Sequence, residues 1–326
     1  PRGERYNMKY RKLKSINKEV SEIGIGLWSL VSDEWGQAVN NEEIIKHAYN
    51  NGINFFDTAD IYGRGEGEKI LGRIFKDNRE EIVILTKIGY DFKTNKRRFD
   101  IDYLKHAIDD SLGRLNTSYI DILMLHNPTM QVINNNEIFD FMHDIKKEGK
   151  ILSYGISLGP TLGWEDEGLR AIEIGYKSLE HIYNIIERYP GQTFLSLDEI
   201  DHFIRVPHAS DVLNETKWPI KFDNRLHRKF KDMKWIEEAL KGAEELKRRI
   251  NRYKLFELAI IYVLSNKNVS SVIPNITSRN EIDIYSKLID SNIILSDDEM
   301  QIIDNIYNTY FKKLNEESIE ETKMYK

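Results

Sequence analysis

The sequence predicts an α/β chain folded as a (β/α)8 barrel of the TIM type, with an N-terminal β-hairpin and an extra C-terminal helix. Three observations predict it. Eight short apolar runs lie at residues 23–27, 53–56, 82–85, 120–125, 152–157, 179–182, 203–206 and 269–273. The runs are continuous, as expected of parallel strands covered on both faces. Helical pattern follows each run, and eight such units favour a closed barrel over an open sheet. The 326 residues contain no Pro/Ser-rich linker, low-complexity tract or composition shift, so residues 8–326 read as one domain.

The elements follow in order. Pro1 to Asn7 precede the first methionine, Met8, which fits a vector-encoded remnant, and they are left out of the fold argument. Residues 9–20 read as the hairpin, with Ser15, Ile16 and Asn17 at its turn. Helical pattern covers 41–51 and stops at Gly52; on 66–75, Ile70, Leu71 and Ile74 share a face. On 101–115, Leu104, Ile108, Leu112 and Leu115 recur at helical spacing. Further helices are expected at 136–148, 169–175, 235–250 and 255–265, with a long insertion at 209–231.

Composition narrows the function classes. Lys and Arg number 47 against 53 Asp and Glu, a formal charge of −6, and the signs are interspersed. That pattern gives no nucleic-acid footprint and no basic membrane-binding face. Cysteine is absent, which excludes disulfides, thiolate metal sites and cysteine nucleophiles, and suits a cytoplasmic setting. No apolar run is long enough to cross a bilayer. The histidines are scattered, and no spacing sets two of them on one helix face beside a carboxylate, so no metal is expected.

The chemistry is expected where barrel strands end. The segment F-F-D-T-A-D-I-Y-G, residues 55–63, closes the second run with Asp57 and hangs Tyr62 just beyond it. The third run leads into Lys87 and the fourth into His126. A lone Asp or Lys at a strand end is more often a cap or a solvated residue, and a lone His a loop residue. Four such groups on neighbouring strands point to one site. A phenol has a reference pKa of about 10 and is a poor acid at neutral pH unless its anion is stabilised. Lys87 can stabilise it, Asp57 can hold Lys87 charged, and His126 can place a carbonyl oxygen against Tyr62. Such a set protonates a carbonyl oxygen while a cofactor delivers a hydride to the carbon.

Over nearly its whole length the chain resembles the aldo-keto reductases. The likeness rests on F-F-D-T-A-D-I-Y-G, on I-L-T-K, on S-L-G-R-L-N-T-S-Y-I-D-I-L-M-L-H-N-P, on G-K-I-L-S-Y-G-I-S and on S-V-I-P-N. It implies the barrel fold, NADPH (or NADH) as cofactor, and Asp57, Tyr62, Lys87 and His126 as catalytic tetrad with Tyr62 the acid. By the same resemblance Ser157, Glu180, Arg205, Pro207, Ser210, Thr277, Ser278 and Arg279 fall on cofactor-binding positions.

Several of these positions depart from the family pattern. Leu158 stands for an Asn that contacts the nicotinamide amide, Glu180 for a Gln that does the same, and Arg205 for a stacking aromatic. Asp211 replaces a glycine of the pyrophosphate loop, and Ile284 and Tyr285 replace a Glu-Asn pair near the adenine. Pocket walls are expected from loops 28–37, 89–100, 127–135 and 209–231. Trp28, Tyr90, Asn127 and His208 are the candidate substrate-pocket residues, with Trp35 and Trp218 as further aromatics. The leading expectation is reduction of a small, sugar-like aldehyde or ketone. Two alternatives stand beside it: redox-neutral chemistry with altered or lost nucleotide binding, and a non-enzymatic regulatory subunit similar to the family's channel-associated members.

Overall fold

The computed structural model describes residues 6–31, 41–220 and 231–325. Trp35 and the stretch 221–230 of the insertion lie outside them. The hairpin is β1 (Tyr10–Lys12) and β2 (Glu19–Ser21), paired antiparallel. Then come β3 (Ile25–Gly26), β4 (Phe55–Asp57) and β5 (Val83–Ile88). A small antiparallel ribbon, β6 (Tyr90–Asp91) and β7 (Lys96–Arg97), follows. The remaining strands are β8 (Ile120–His126), β9 (Ile151–Ser157), β10 (Ser178–Ile182), β11 (Asp201–Arg205) and β12 (Val269–Ile273).

Eight of these strands form one parallel sheet in the order β3-β4-β5-β8-β9-β10-β11-β12. The ends meet: Ile23 bridges Val272, Gly24 N donates to Val272 O at 2.9 Å, and Val272 N donates to Glu22 O at 2.9 Å. This is the predicted (β/α)8 barrel, and its closure turns every strand's C-terminal end toward one rim.

The period of two along a strand explains the double aromatic of β4. Phe55 points inward, stacked on Phe203 of β11 at 4.8 Å, in a cluster with Val83, Leu85, Ile122, Met124 and Ile273. Phe56 points outward into the larger core shared with the helices. A Cβ on Gly24 would collide with the Phe55 ring, so the first strand needs glycine there.

Leu13 and Val20 of the hairpin join the inner cluster and plug the N-terminal mouth. Ionic groups fasten the plug. Lys18 Nζ lies 2.6 Å from Asp121 of β8, which also takes Arg79 at 2.7 Å. Asp201 of β11 accepts from Lys14 N, Ser15 N and Ser15 Oγ at 2.7, 3.1 and 2.6 Å.

Some elements were not expected. The short helix Trp28–Val31 and the β6–β7 ribbon stand in the loops expected at 28–37 and 89–100, and the short helix Gly191–Leu195 lies in a stretch for which no element was expected. The helix predicted at 169–175 begins at Glu165; its first turn is acidic, suiting a helix N-terminus without adding apolar periodicity. The extra C-terminal helix is a run of Asp297–Ile306, a π-type turn Tyr307–Phe311 and Lys312–Met324. It packs on the helix Met233–Arg249, where Gly242 leaves room for Phe311.

Between β10 and β11 lies a buried histidine pair. His202 Nε2 is 2.8 Å from Leu197 O, and His202 Nδ1 is 3.3 Å from His181 Nε2. A neutral His202 that donates from Nε2 to Leu197 O leaves its Nδ1 free to accept from His181 Nε2, and His181 Nδ1 lies 3.3 Å from Ile182 O. Burial holds both rings below the usual histidine range, His202 at about 4, with the Leu197 carbonyl pulling it back up. A depressed histidine contributes stability that is complete above its unfolded pKa, near 6.5, and is lost as pH falls toward the folded value. Acidification from pH 7 to pH 4 is therefore expected to cost on the order of 3 kcal/mol through His202 alone. Urea unfolding at the two pH values checks this, and His202→Gln should flatten the dependence.

Candidate active site

The chain after β4 is strapped across β5, since Thr58 N donates to Leu85 O at 2.8 Å and Asp60 N to Lys87 O at 3.0 Å. That brings Tyr62 back over the rim at the start of the turn Tyr62–Gly65. The turn runs through left-handed backbone at Gly63, Arg64 and Gly65. A Cβ at Gly63 would lie 2.7 Å from Val31 O, so glycine is required by both conformation and space.

Lys87 has no exposed surface. Its ammonium donates to Asp57 Oδ1 and to Thr58 O at 3.0 Å, and lies 3.0 Å from Glu180 Oε2 of β10. Tyr62 sits beside it, with Nζ 5.2 Å from the ring centroid. His126 ends β8, its ring 6.0 Å from that of Tyr62 and 4.9 Å from that of Tyr90. Trp28 packs edge-on against Tyr62 at 4.9 Å. Asn127, with left-handed backbone, donates from Nδ2 to Tyr90 Oη at 3.4 Å. The structure thus brings Asp57, Tyr62, Lys87 and His126 together, with Trp28, Tyr90 and Asn127 around them.

The electrostatics follow from burial. Burial works against the Lys87 ammonium, but Asp57 and Glu180 outweigh it and raise its pKa. Burial also pushes the Asp57 carboxyl above the usual carboxylate range, helped by Glu180 and opposed by the Lys87 ammonium in direct contact with it. Burial, then the charges of Lys87 and Arg205, hold His126 well below the usual histidine range, so it is a neutral imidazole at pH 7. Burial pushes the Tyr62 phenol above its ordinary value, while Lys87 pulls it down and Asp57 and Glu180 push it up.

The residues expected on the cofactor side fall into three groups. Ser157 Oγ donates to Glu180 Oε1 at 3.4 Å, and Arg205 Nε lies 3.6 Å from the same oxygen. Arg205 also donates to Leu158 O and Gly159 O at 2.6 and 2.5 Å. The Leu158 side chain is buried beside Gly168 and offers no polar group.

Next comes the loop carrying Pro207 and Ser210, with left-handed backbone at Val206, Ala209, Ser210 and Asp211. His208 is buried there, 3.2 Å from Phe256 O and stacked on Tyr285 at 6.2 Å. At the start of the helix Arg279–Asp290, Glu281 accepts from Thr277 N and Ser278 N at 2.8 and 3.1 Å. Arg279 Nη2 pairs with Glu43 at 2.6 Å. Trp218 packs over Lys247.

The donor set suits a nicotinamide carboxamide, which needs one acceptor and one donor; Glu180 supplies the first, and the Ser157 hydroxyl supplies the second by turning its one proton away from Glu180. Arg205 presents a planar guanidinium that can stack on an aromatic ring. What sequence reading missed is the direct contact of Glu180 with Lys87. The signal was strand parity, because Glu180 alternates with the outward Leu179 and His181 and must face the barrel interior.

Removing the ammonium leaves two buried carboxylates without their shared cation. Lys87→Met is expected to destabilise the fold by about 3–5 kcal/mol at neutral pH. Urea denaturation measures it, and Lys87→Met with Glu180→Gln should recover part of the loss.

The comparisons agree with this geometry. The aldo/keto reductase family model matches residues 22–308. The chain is 30% identical over 278 residues to the uncharacterised oxidoreductase YqkF of Bacillus subtilis (strain 168), covering 82% of this chain and 86% of that one. It is 26% identical over 313 residues to a probable voltage-gated potassium channel subunit beta of Arabidopsis thaliana, covering 87% and 92%. Aldo-keto reductase AKR11C1 from Bacillus halodurans, in its holo form, superposes with a TM-score of 0.76 at 29% identity, covering 92% of this chain and 96% of that one. Among the described residues no helix is long and apolar enough to cross a membrane, and no group of three or more His, Cys, Asp or Glu can hold a metal ion. With the family model spanning most of its length and a buried Asp–Lys pair beside a tyrosine and a neutral histidine on one barrel rim, the chain belongs to the aldo/keto reductase family.

Proposed function

We propose that this chain is an NAD(P)H-dependent carbonyl reductase that converts a small, sugar-like aldehyde or ketone to an alcohol, with Tyr62 as proton donor. The observation that carries the reading is the meeting of Tyr62, buried Lys87 and neutral His126 at three neighbouring strand ends. A nicotinamide cofactor supplies the hydride when bound, and Ser157, Glu180 and Arg205 are the residues that would hold its nicotinamide. Pro207 and Ser210 line the loop proposed for its phosphates, and Thr277, Ser278 and Arg279 the helix start proposed for its adenosine end.

The chain's own residues do the rest. His126, uncharged, hydrogen-bonds the substrate oxygen without competing as an acid. Tyr62 gives its proton to that oxygen as negative charge develops there, and Lys87 stabilises the phenolate left behind. Asp57 keeps Lys87 in place. Trp28 and Tyr90 wall the pocket, Asn127 braces Tyr90, and His208 lines the approach from the loop after β11.

A second reading, redox-neutral chemistry with altered nucleotide binding, is favoured by one observation: Glu180 faces Lys87 as an ion pair. One titration separates the two. The protein is expected to quench or enhance NADPH or NADH fluorescence with micromolar affinity and to oxidise the bound nucleotide when a test aldehyde is added. Binding of neither nucleotide would leave the second reading standing. Tyr62→Phe is expected to lower turnover by at least about 100-fold with nucleotide affinity unchanged, since it removes the acid and little else. Retention of most activity by Tyr62→Phe would remove Tyr62 from the mechanism.

A further inference from the structure

The ammonium of Lys87 has three N–H groups to give. Two are committed, to Asp57 and to the Thr58 carbonyl, and Glu180 Oε2 stands in ion-pair contact at 3.0 Å. Glu180 is itself buried, so water does little to screen it. We propose that Glu180 is a positioning residue that acts on Tyr62 through Lys87: it competes with the phenol oxygen for the ammonium and so keeps Tyr62 in its proton-bearing form. The inference rests on the proposed role of Tyr62 as the acid.

The charges facing the site can be counted strand by strand. Asp57 comes from β4, Lys87 from β5, Glu180 from β10 and Arg205 from β11, with the neutral ring of His126 from β8. These are also the charged groups that bear on Tyr62. Arg205 Nε lies 3.6 Å from Glu180 Oε1, so each carboxylate has a cation, and the four charges sum to zero. A glutamine in place of Glu180 would leave Lys87 answering to Asp57 alone, with more of its field available to a phenolate. With glutamate present that field is divided between two anions, and the phenolate is disfavoured.

The consequence lies in the pH dependence. Carbonyl reduction uses the phenol as an acid, whereas alcohol oxidation uses the phenolate as a base. An ammonium shared by two carboxylates favours the first and extends it to alkaline pH. Glu180 therefore keeps the acid that reduction needs available at alkaline pH.

The test needs neither nucleotide nor substrate, so its failure is distinguishable from failure of the reductase reading. The full chain is labelled with 13C at the tyrosine ζ carbon, and the Tyr62 signal is identified by its loss in Tyr62→Phe. In the wild-type protein that signal is expected to stay in the phenol form past pH 10, the ordinary tyrosine value. Ionisation of wild-type Tyr62 below that value would overturn the proposal whatever the variants do.

In Glu180→Gln the signal is expected to titrate at least about one pH unit lower, because a like charge has been removed from beside the phenolate. In Glu180→Asp, which keeps the charge, it should stay near wild type. An unmoved Tyr62 in a natively folded Glu180→Gln, or equal movement in Glu180→Asp, would refute the role. In turnover, Glu180→Gln should move the alkaline limb of the pH profile for carbonyl reduction at least about one unit lower, and Glu180→Asp should leave it near wild type.

Discussion

A lysine with no exposed surface sets the terms for everything around it. An unpaired ammonium in the interior is too costly to keep, so Lys87 must be met by opposite charge and by hydrogen-bond acceptors. The barrel delivers these from separate strands: Asp57 from β4, the Thr58 carbonyl just after it, and Glu180 from β10. Their positions depend on closure, because only a closed ring of strands turns β4, β5 and β10 to face one another across an interior. The inner layer below, from Phe55 to Phe203, keeps that interior dry and fixes the register. The polar rim and the apolar plug are one construction.

The second carboxylate changes the character of the site. One aspartate beside one lysine makes a neutral pair; a further glutamate needs a further cation, and Arg205 provides it. Arg205 is in turn fixed by the Leu158 and Gly159 carbonyls, so the segment after β9 becomes part of the electrostatic balance. Leu158, Glu180 and Arg205 are therefore physically connected. The Leu158 backbone oxygen holds the arginine that faces the glutamate.

Much of this was legible in the sequence, for a definite reason. Apolar runs that end in a charged or titratable residue mark strands that reach a rim, and Asp57, Lys87 and His126 are all of that kind. Strand positions were readable to within a few residues for all eight runs. In the first, regular pairing is confined to Ile25–Gly26, while Ile23 and Gly24 close the barrel. What sequence could not give was pairing across the interior. Glu180 meets Lys87 because of barrel register, and no local pattern encodes that distance. The surroundings of His208 were hidden for the same reason, since stacking on Tyr285 joins a loop to a helix distant in the chain.

The hairpin plug divides the molecule's labour between its two mouths. Leu13 and Val20 stop the N-terminal mouth, and Asp121 and Asp201 tie them down with contacts that include no member of the site at the other end. Substitutions that remodel the upper loops can therefore accumulate while the lower fastening keeps the barrel shut. The same fastening can be strengthened or weakened without altering which compound is accepted above. The chain is built so that durability and selectivity can evolve, or be engineered, as separate traits.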